Sequence, residues 1–299
     1  MRTGAEPANT AANQVLQLDP LLPRETAAAC EAAGVRKAGM DAISMFVLAG
    51  LAGAFISLGA VLYTVTVSGP GLGFGATRLL GGAAFSLGLV LVIIAGAELF
   101  TGNTLIIMAW ASRRVSTSAL LRNWLIVYTG NAVGALLTVL LVYGGRQWEL
   151  GDGAVGGSAL RIASAKVQLG FGQALALGIL CNALVALAVW LAIGGRSNTD
   201  RILSIIFPIT AFVAAGFEHS IANLYFAPMG ILLKDQSQAV AASGLGGAQL
   251  ADLTWARFLL QNLLPVTIGN IIGGAVLVGA VYWFVYLRRP AGLPEPGRD

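Results

Sequence analysis

Gly96-Ala97-Glu98-Leu99-Phe100-Thr101-Gly102-Asn103 sets an acid inside a region that is otherwise free of charge from residue 79 to 112. Gly216-Phe217-Glu218-His219-Ser220-Ile221-Ala222-Asn223 does the same inside 202–233, so the pattern Gly-x-Glu-x4-Asn occurs twice. A charge at the centre of a bilayer costs at least about 2.5 kcal/mol, and a helix needs about 20 apolar residues to cross. The half-runs 99–112 and 220–233, 14 residues each, are too short to cross alone. Each acid-bearing region therefore reads as one interrupted span, broken at a glycine two positions before the acid.

Working outward, the charge-free stretches 42–77, 123–145, 167–195 and 258–287 are each long enough to cross. The expectation is an all-α membrane protein of six spans, the second and fifth broken. Composition agrees. Of 299 residues 57% are hydrophobic and 11% charged, against roughly 25% charged in an ordinary soluble domain, and 39 glycines suit closely packed helices. The net charge of +4 comes from Lys and Arg spread along the chain without a basic stripe, so no nucleic-acid partner is expected. Cys30 and Cys181 lie in a polar leader and an apolar run, which gives neither a disulfide nor a metal site. With one histidine, no HExxH and no GxSxG, the chain is not read as an enzyme, and no cofactor or metal is expected.

An even number of spans puts both termini on one side. That side carries 12 Lys and Arg residues and the other carries 6, so both termini are expected in the cytoplasm. Residues 1–40 form a leader without the features of a cleaved signal peptide, and within it 24–37 reads as an interfacial helix. Residues 41–289 form the channel domain, with repeats at about 41–145 and 164–287, and 290–299 form a cytoplasmic tail. Segments 144–163 and 235–253 read as external loops.

Setting Asn123 on Asn262 and continuing to Tyr143 and Tyr282 makes 9 of 21 positions identical without a gap. The third span thus matches the sixth, as the second matches the fifth. A unit of three spans can repeat only upside down, which predicts an inverted 3+3 repeat whose broken helices meet near the midplane and mark the permeation site. Gly130, Gly134, Gly269 and Gly273 read as close helix packing. At the breaks, Glu98 and Glu218 are expected to satisfy freed backbone N–H groups at half-helix N-termini, and Asn103 and Asn223 to satisfy further exposed backbone. His219, an ionisable side chain at membrane depth, is a candidate for the pathway or a proton relay. Asn182 and Asn270, amides inside apolar spans, either line the lumen or bridge helices.

Residues 97–103 and 217–223, with Cys181-Asn182-Ala183-Leu184-Val185 and Pro265-Val266-Thr267-Ile268-Gly269-Asn270, give the chain a resemblance to the formate/nitrite transporter family. The resemblance covers roughly residues 20–289. It implies a homopentamer with an aquaporin-like six-helix protomer and a pore in each. Glu98 to Asn103 looks like the nitrite branch, whereas His219 to Ile231, residues 262–274 and the leader look like the formate branch.

The resemblance further implies that Thr101 faces the central His219 across the pore. Lys166, placed at the external start of the fourth span, matches the pore lysine that attracts anions. Phe85, Leu89, Leu99, Phe100 and Phe212 match two apolar constrictions above and below the histidine. The expected function is a pH-dependent inner-membrane channel for small monovalent anions, formate first, in which His219 lends a proton so that the neutral acid crosses. Nitrite or hydrosulfide is the alternative within the family, and a neutral-solute pore lies outside it.

Overall fold

The computed structural model describes residues 20–69 and 71–288. The first half of the leader and the tail from Pro290 lie outside the described residues. Among those residues there is no strand, and six helices are long and apolar enough to cross a membrane. They are α2 (Ala42–Val67), α3 (Phe74–Ala95), α6 (Thr117–Gly144), α8 (Phe171–Gly194), α9 (Asn198–Ala215) and the last helix, Trp255–Tyr286. Helix α1 (Pro23–Ala38) precedes them, α4 (Phe100–Asn103) and α5 (Ile107–Ala111) follow α3, α7 (Ala154–Val167) precedes α8, and α10 (Ser220–Leu233) follows α9.

Helix starts follow from side chains that accept the otherwise unpaired first N–H groups. Asp41 accepts from Ile43 and Ser44, Ser116 from Ala119, and Ser197 from Asp200. The Ser44 bonds, foremost among these contacts, hold the Asp41 carboxyl below the usual carboxylate range. Helices α3 and α9 both end on a left-handed glycine, Gly96 at φ 81° and Gly216 at φ 79°, a conformation that side chains with a Cβ rarely adopt. Beyond them the chain runs extended to Leu99 and His219 before α4 and α10 begin. The last helix contains two π-helical stretches, Phe258–Leu263 and Ile272–Ala280. The first lies directly before Leu264-Pro265, where proline removes a backbone donor.

Helix α2 packs against α6 and α3, α8 against the last helix and α9, and α3 against α9. The tightest crossings rest on glycine: a Cβ at Gly134 would overlap the Gly50 carbonyl oxygen, and one at Gly273 would overlap that of Ile179. Leucines such as Leu125, Leu137 and Leu141 remain exposed on outer faces.

Several boundaries differ from the sequence reading. The stretch 42–77 is one span and the beginning of the next, because α3 starts at Phe74 and carries Arg78 inside it. Much of the expected external loop 144–163 is helix α7, and 235–253 contains the short helices Ser237–Ser243 (α11) and Gly247–Ala251 (α12). Lys166 sits in the last turn of α7 and does not open α8, which begins at Phe171. Helix α1 packs onto the bundle, against residues 104–111 and α8, burying Ala27, Cys30 and Gly34. That burial pushes the Cys30 thiol up to about 12.

Candidate transport site

The two breaks are built on one hydrogen-bond skeleton. After Gly96, the Glu98 N–H donates to the Leu48 carbonyl of α2, and the Phe100 N–H, first in α4, donates to Asn131 Oδ1 at 2.9 Å. Asn131 Nδ2 donates in turn to the carbonyls of Ala49 and Glu98. In the second half the Glu218 N–H donates to Leu177 of α8, the Ser220 N–H to Asn270 Oδ1 at 2.9 Å, and Asn270 Nδ2 to Gly178 and Glu218. Asn270 is thus a helix bridge, and its partner Asn131, aligned with it in the repeat, was missed as a site residue.

The acids do something other than cap. Glu98 Oε1 accepts from Lys37 Nζ at 2.6 Å and its Oε2 from Asn103 Nδ2 at 2.7 Å. Asn103 also donates to Asn123 Oδ1, and Asn123 returns to the Lys37 carbonyl. Glu218 repeats this with Lys166 at 2.8 Å, Asn223 at 2.7 Å and Asn262, whose Nδ2 reaches the Lys166 carbonyl. Glu98, Glu218, Asn103 and Asn223 therefore form two buried ion-pair clusters in place of the expected backbone caps, because the Asn131 and Asn270 carboxamides already hold the freed N–H groups. Lys37 and Lys166, carried by α1 and α7, supply the charge that lets a carboxylate stay buried.

The two halves part at the residue before each half-helix. It is Leu99 in the first and His219 in the second, both buried. His219 Nδ1 accepts the Ala222 N–H at 3.1 Å, which puts the proton of the neutral ring on Nε2. Nε2 lies 2.9 Å from Thr101 Oγ1 in the opposite break. Thr101 is in the first turn of α4, with its carbonyl accepting from Thr104 Oγ1 at 2.6 Å and Asn182 Nδ2 at 3.3 Å. Asn182 also donates to the Asn270 carbonyl, so it ties the Thr101 break to the His219 half.

A cleft of about 340 Å³ leads to His219, lined among others by Tyr63, Arg78, Phe85, Lys166, Phe212 and Phe226. Phe85 meets Phe212 edge to face at 5.8 Å between ring centroids, and Phe212 stacks on the His219 ring at 6.0 Å. Of the five residues expected at constrictions, Phe85 and Phe212 border this cleft. Leu89 and Leu99 are buried in the core, and Phe100 packs on Tyr128 at 4.9 Å and Trp124 at 6.2 Å. Tyr63 and Phe226 were missed because aromatic residues in apolar spans carry no mark of their own. Arg78 did carry one, a charge within a long apolar region, but it was read as a boundary.

The formate/nitrite transporter family model matches residues 24–284. The chain belongs to that family. Among relatives, the formate channel FocA of Escherichia coli strain K12 is 46% identical over 273 residues, covering 90% of this chain and 96% of the relative. The FocA of Haemophilus influenzae is 39% identical over 270 residues, covering 89% and 95%. Among solved structures, a pentameric formate channel with formate bound is 45% identical with a TM-score of 0.77, covering 83% of this chain and 98% of that one. An ion channel described as a member of the same family is 30% identical with a TM-score of 0.72, covering 87% and 98%. Membership of this transporter family agrees with a multi-pass membrane protein that is not an enzyme.

Proposed function

We propose that the protein is a homopentameric inner-membrane channel for small monovalent anions, formate first, with both termini in the cytoplasm and passage assisted by a proton from His219. The observation that carries this reading is the His219 Nε2 to Thr101 Oγ1 contact of 2.9 Å at the inner end of an aromatic cleft. It is a polar pair set at the position where the two halves differ. The formate channels among its relatives support the substrate, and the pentameric formate channel supports the assembly. The excess of Lys and Arg on the terminus side supports the orientation.

A bare carboxylate loses hydration worth many kcal/mol between apolar walls, whereas the neutral acid loses far less. Phe85 and Phe212 supply such walls; Leu89, Leu99 and Phe100 complete the two constrictions in this reading. The Ala222 N–H fixes the ring through Nδ1 and leaves Nε2 as the edge that exchanges with Thr101 and substrate. Lys166 gives one of its three donors to Glu218 and serves capture at the cleft with the others, while Asn182 and Asn270 hold the two breaks together.

Uptake of labelled formate into proteoliposomes at about pH 5.5 and about pH 7.5, which changes the proton supply about a hundredfold, tests the reading. Wild-type uptake is expected to rise at the lower pH, and His219→Asn to lose most of that rise while eluting unchanged in detergent. Unaltered pH-dependent uptake in the folded variant removes the histidine from the mechanism. Neutral-solute flux with no formate uptake would replace the anion channel with a neutral-solute pore.

A further inference from the structure

We propose that Arg78 forms an outer carboxylate subsite on the wall of the cleft, where it recognises a planar two-oxygen anion before that anion reaches His219. The inference rests on the reading of the protein as an anion channel. It begins from an imbalance of charge. Lys166 on the same cleft is already paired with Glu218 at 2.8 Å. Arg161 on the rim commits its terminal nitrogens to the carbonyls of Ala242 and Ser243 and to Ser158 Oγ. Arg78 has no carboxylate partner among the described residues, whose ion pairs join Lys37, Arg114, Arg146, Lys166 and Arg257 to acids.

The guanidinium is nevertheless held firmly. Nε donates to the Ala214 carbonyl at 2.9 Å and Nη2 to Val213 at 2.8 Å, while Nη1 reaches Tyr63 Oη at 3.3 Å. Val213 and Ala214 are among the last residues of α9, whose carbonyl end carries partial negative charge and so anchors the cation without neutralising it. These contacts use three of the five N–H donors and leave one on each terminal nitrogen. Two donors on a rigid planar fork match the two oxygens of a carboxylate, a match that a lysine ammonium lacks. The neighbouring walls are Tyr63, Phe85, Phe212 and Phe226. Apolar walls weaken screening, so an unpaired cation there attracts anions more strongly than one in open water.

The test compares formate with hydrosulfide, which has no second acceptor atom to fill the fork, in proteoliposomes carrying wild type, Arg78→Lys or Arg78→Gln. Arg78→Lys keeps the charge and loses the fork. The half-saturation concentration for formate should rise roughly two- to tenfold, the loss that one hydrogen bond implies, while that for hydrosulfide stays within about twofold. Arg78→Gln should raise both. Equal falls in maximal rate for both anions, with half-saturation unchanged, would make Arg78 a clamp between α3 and α9 and overturn the subsite. Should Arg78→Lys fail to fold, Tyr63→Phe examines the same fork by releasing its third contact. The formate half-saturation should then move while that of hydrosulfide does not, and a common shift overturns the proposal. Failure of folded wild-type protein to take up formate would instead reject the channel reading itself.

Discussion

Around Glu98 and around Glu218 the chain builds the same object twice. Each has a left-handed glycine, a buried carboxylate paired to a lysine, an asparagine that joins acid to a second asparagine, and a third asparagine that holds the next backbone N–H. Of the side chains that differ between the halves, three converge. Leu99 stands where His219 does, and Thr101 stands where Ile221 does. Counting from the matched carbonyls of Ala49 and Gly178, Gly53 stands where Asn182 does. His219, Thr101 and Asn182 are also the three that meet across the pseudo-symmetry, through the 2.9 Å contact of Thr101 with His219 and the Asn182 bond to the Thr101 carbonyl. The common skeleton explains how a membrane helix can be interrupted at all. The departures from it mark where chemistry is proposed.

A second difference is one of degree, and it should separate the two clusters in stability. The Lys37 side chain is 33% exposed and that of Lys166 only 14%. Glu218→Gln strands a largely buried ammonium, and breaking such a pair costs about 3–5 kcal/mol. Glu98→Gln leaves a lysine that can turn toward water, where exposed pairs contribute about 0–1 kcal/mol, so its cost should be clearly smaller. Thermal unfolding in detergent measures both. Equal losses would show that the two clusters are energetically as well as geometrically alike.

Asn131→Leu and Asn270→Leu probe what the halves share. Each removes the acceptor of a half-helix N–H and the donor to two carbonyls, leaving buried groups that cost about 1–3 kcal/mol apiece. Losses of similar size are expected in the two variants. A gap wider than about 1.4 kcal/mol, a factor of ten in the equilibrium constant, would mean that one break depends on other contacts.

The smallest effect sharpens the asymmetric part. Thr101→Val keeps the shape and removes the hydroxyl, so it should reduce pH-dependent formate uptake in the same manner as His219→Asn. The double variant should then be little worse than either alone, with a coupling of about 0.5–3 kcal/mol between residues in contact. Fully additive losses would separate the two residues and end the paired mechanism, while leaving the family assignment untouched.

Charge spacing alone located six spans, because one unpaired charge in hydrocarbon outweighs most local preferences. Glycine followed by an acid in an apolar run marks where α3 and α9 end, and internal alignment sets 9 of 21 positions of the third and sixth spans in register. The same rule misled where charges were paired. Charge spacing makes Arg78 a border, whereas the structure places it inside α3. Its partners are the carbonyls of Val213 and Ala214, more than 130 positions later. Lys37 was counted only toward orientation for the same reason, its partner Glu98 lying 61 residues away.

Helix α7 shows the limit for secondary structure. Its glycine-rich start has weak intrinsic preference for helix, yet Gly156 and Gly157 let it lie close against Ala239 and Ala242 of α11, and packing supplies what propensity lacks. What the sequence by itself determined is therefore what neighbouring residues and periodicity encode: the spans, the places where they break, the twofold repeat and the exceptional histidine. Which amide holds which backbone group and which lysine neutralises which acid were decided only by tertiary structure, which also sets at 2.9 Å the contact of Thr101 with His219 that the family resemblance implied. Each of those contacts joins segments far apart in the chain, and a buried polar group is satisfied by whatever the fold brings within hydrogen-bond distance.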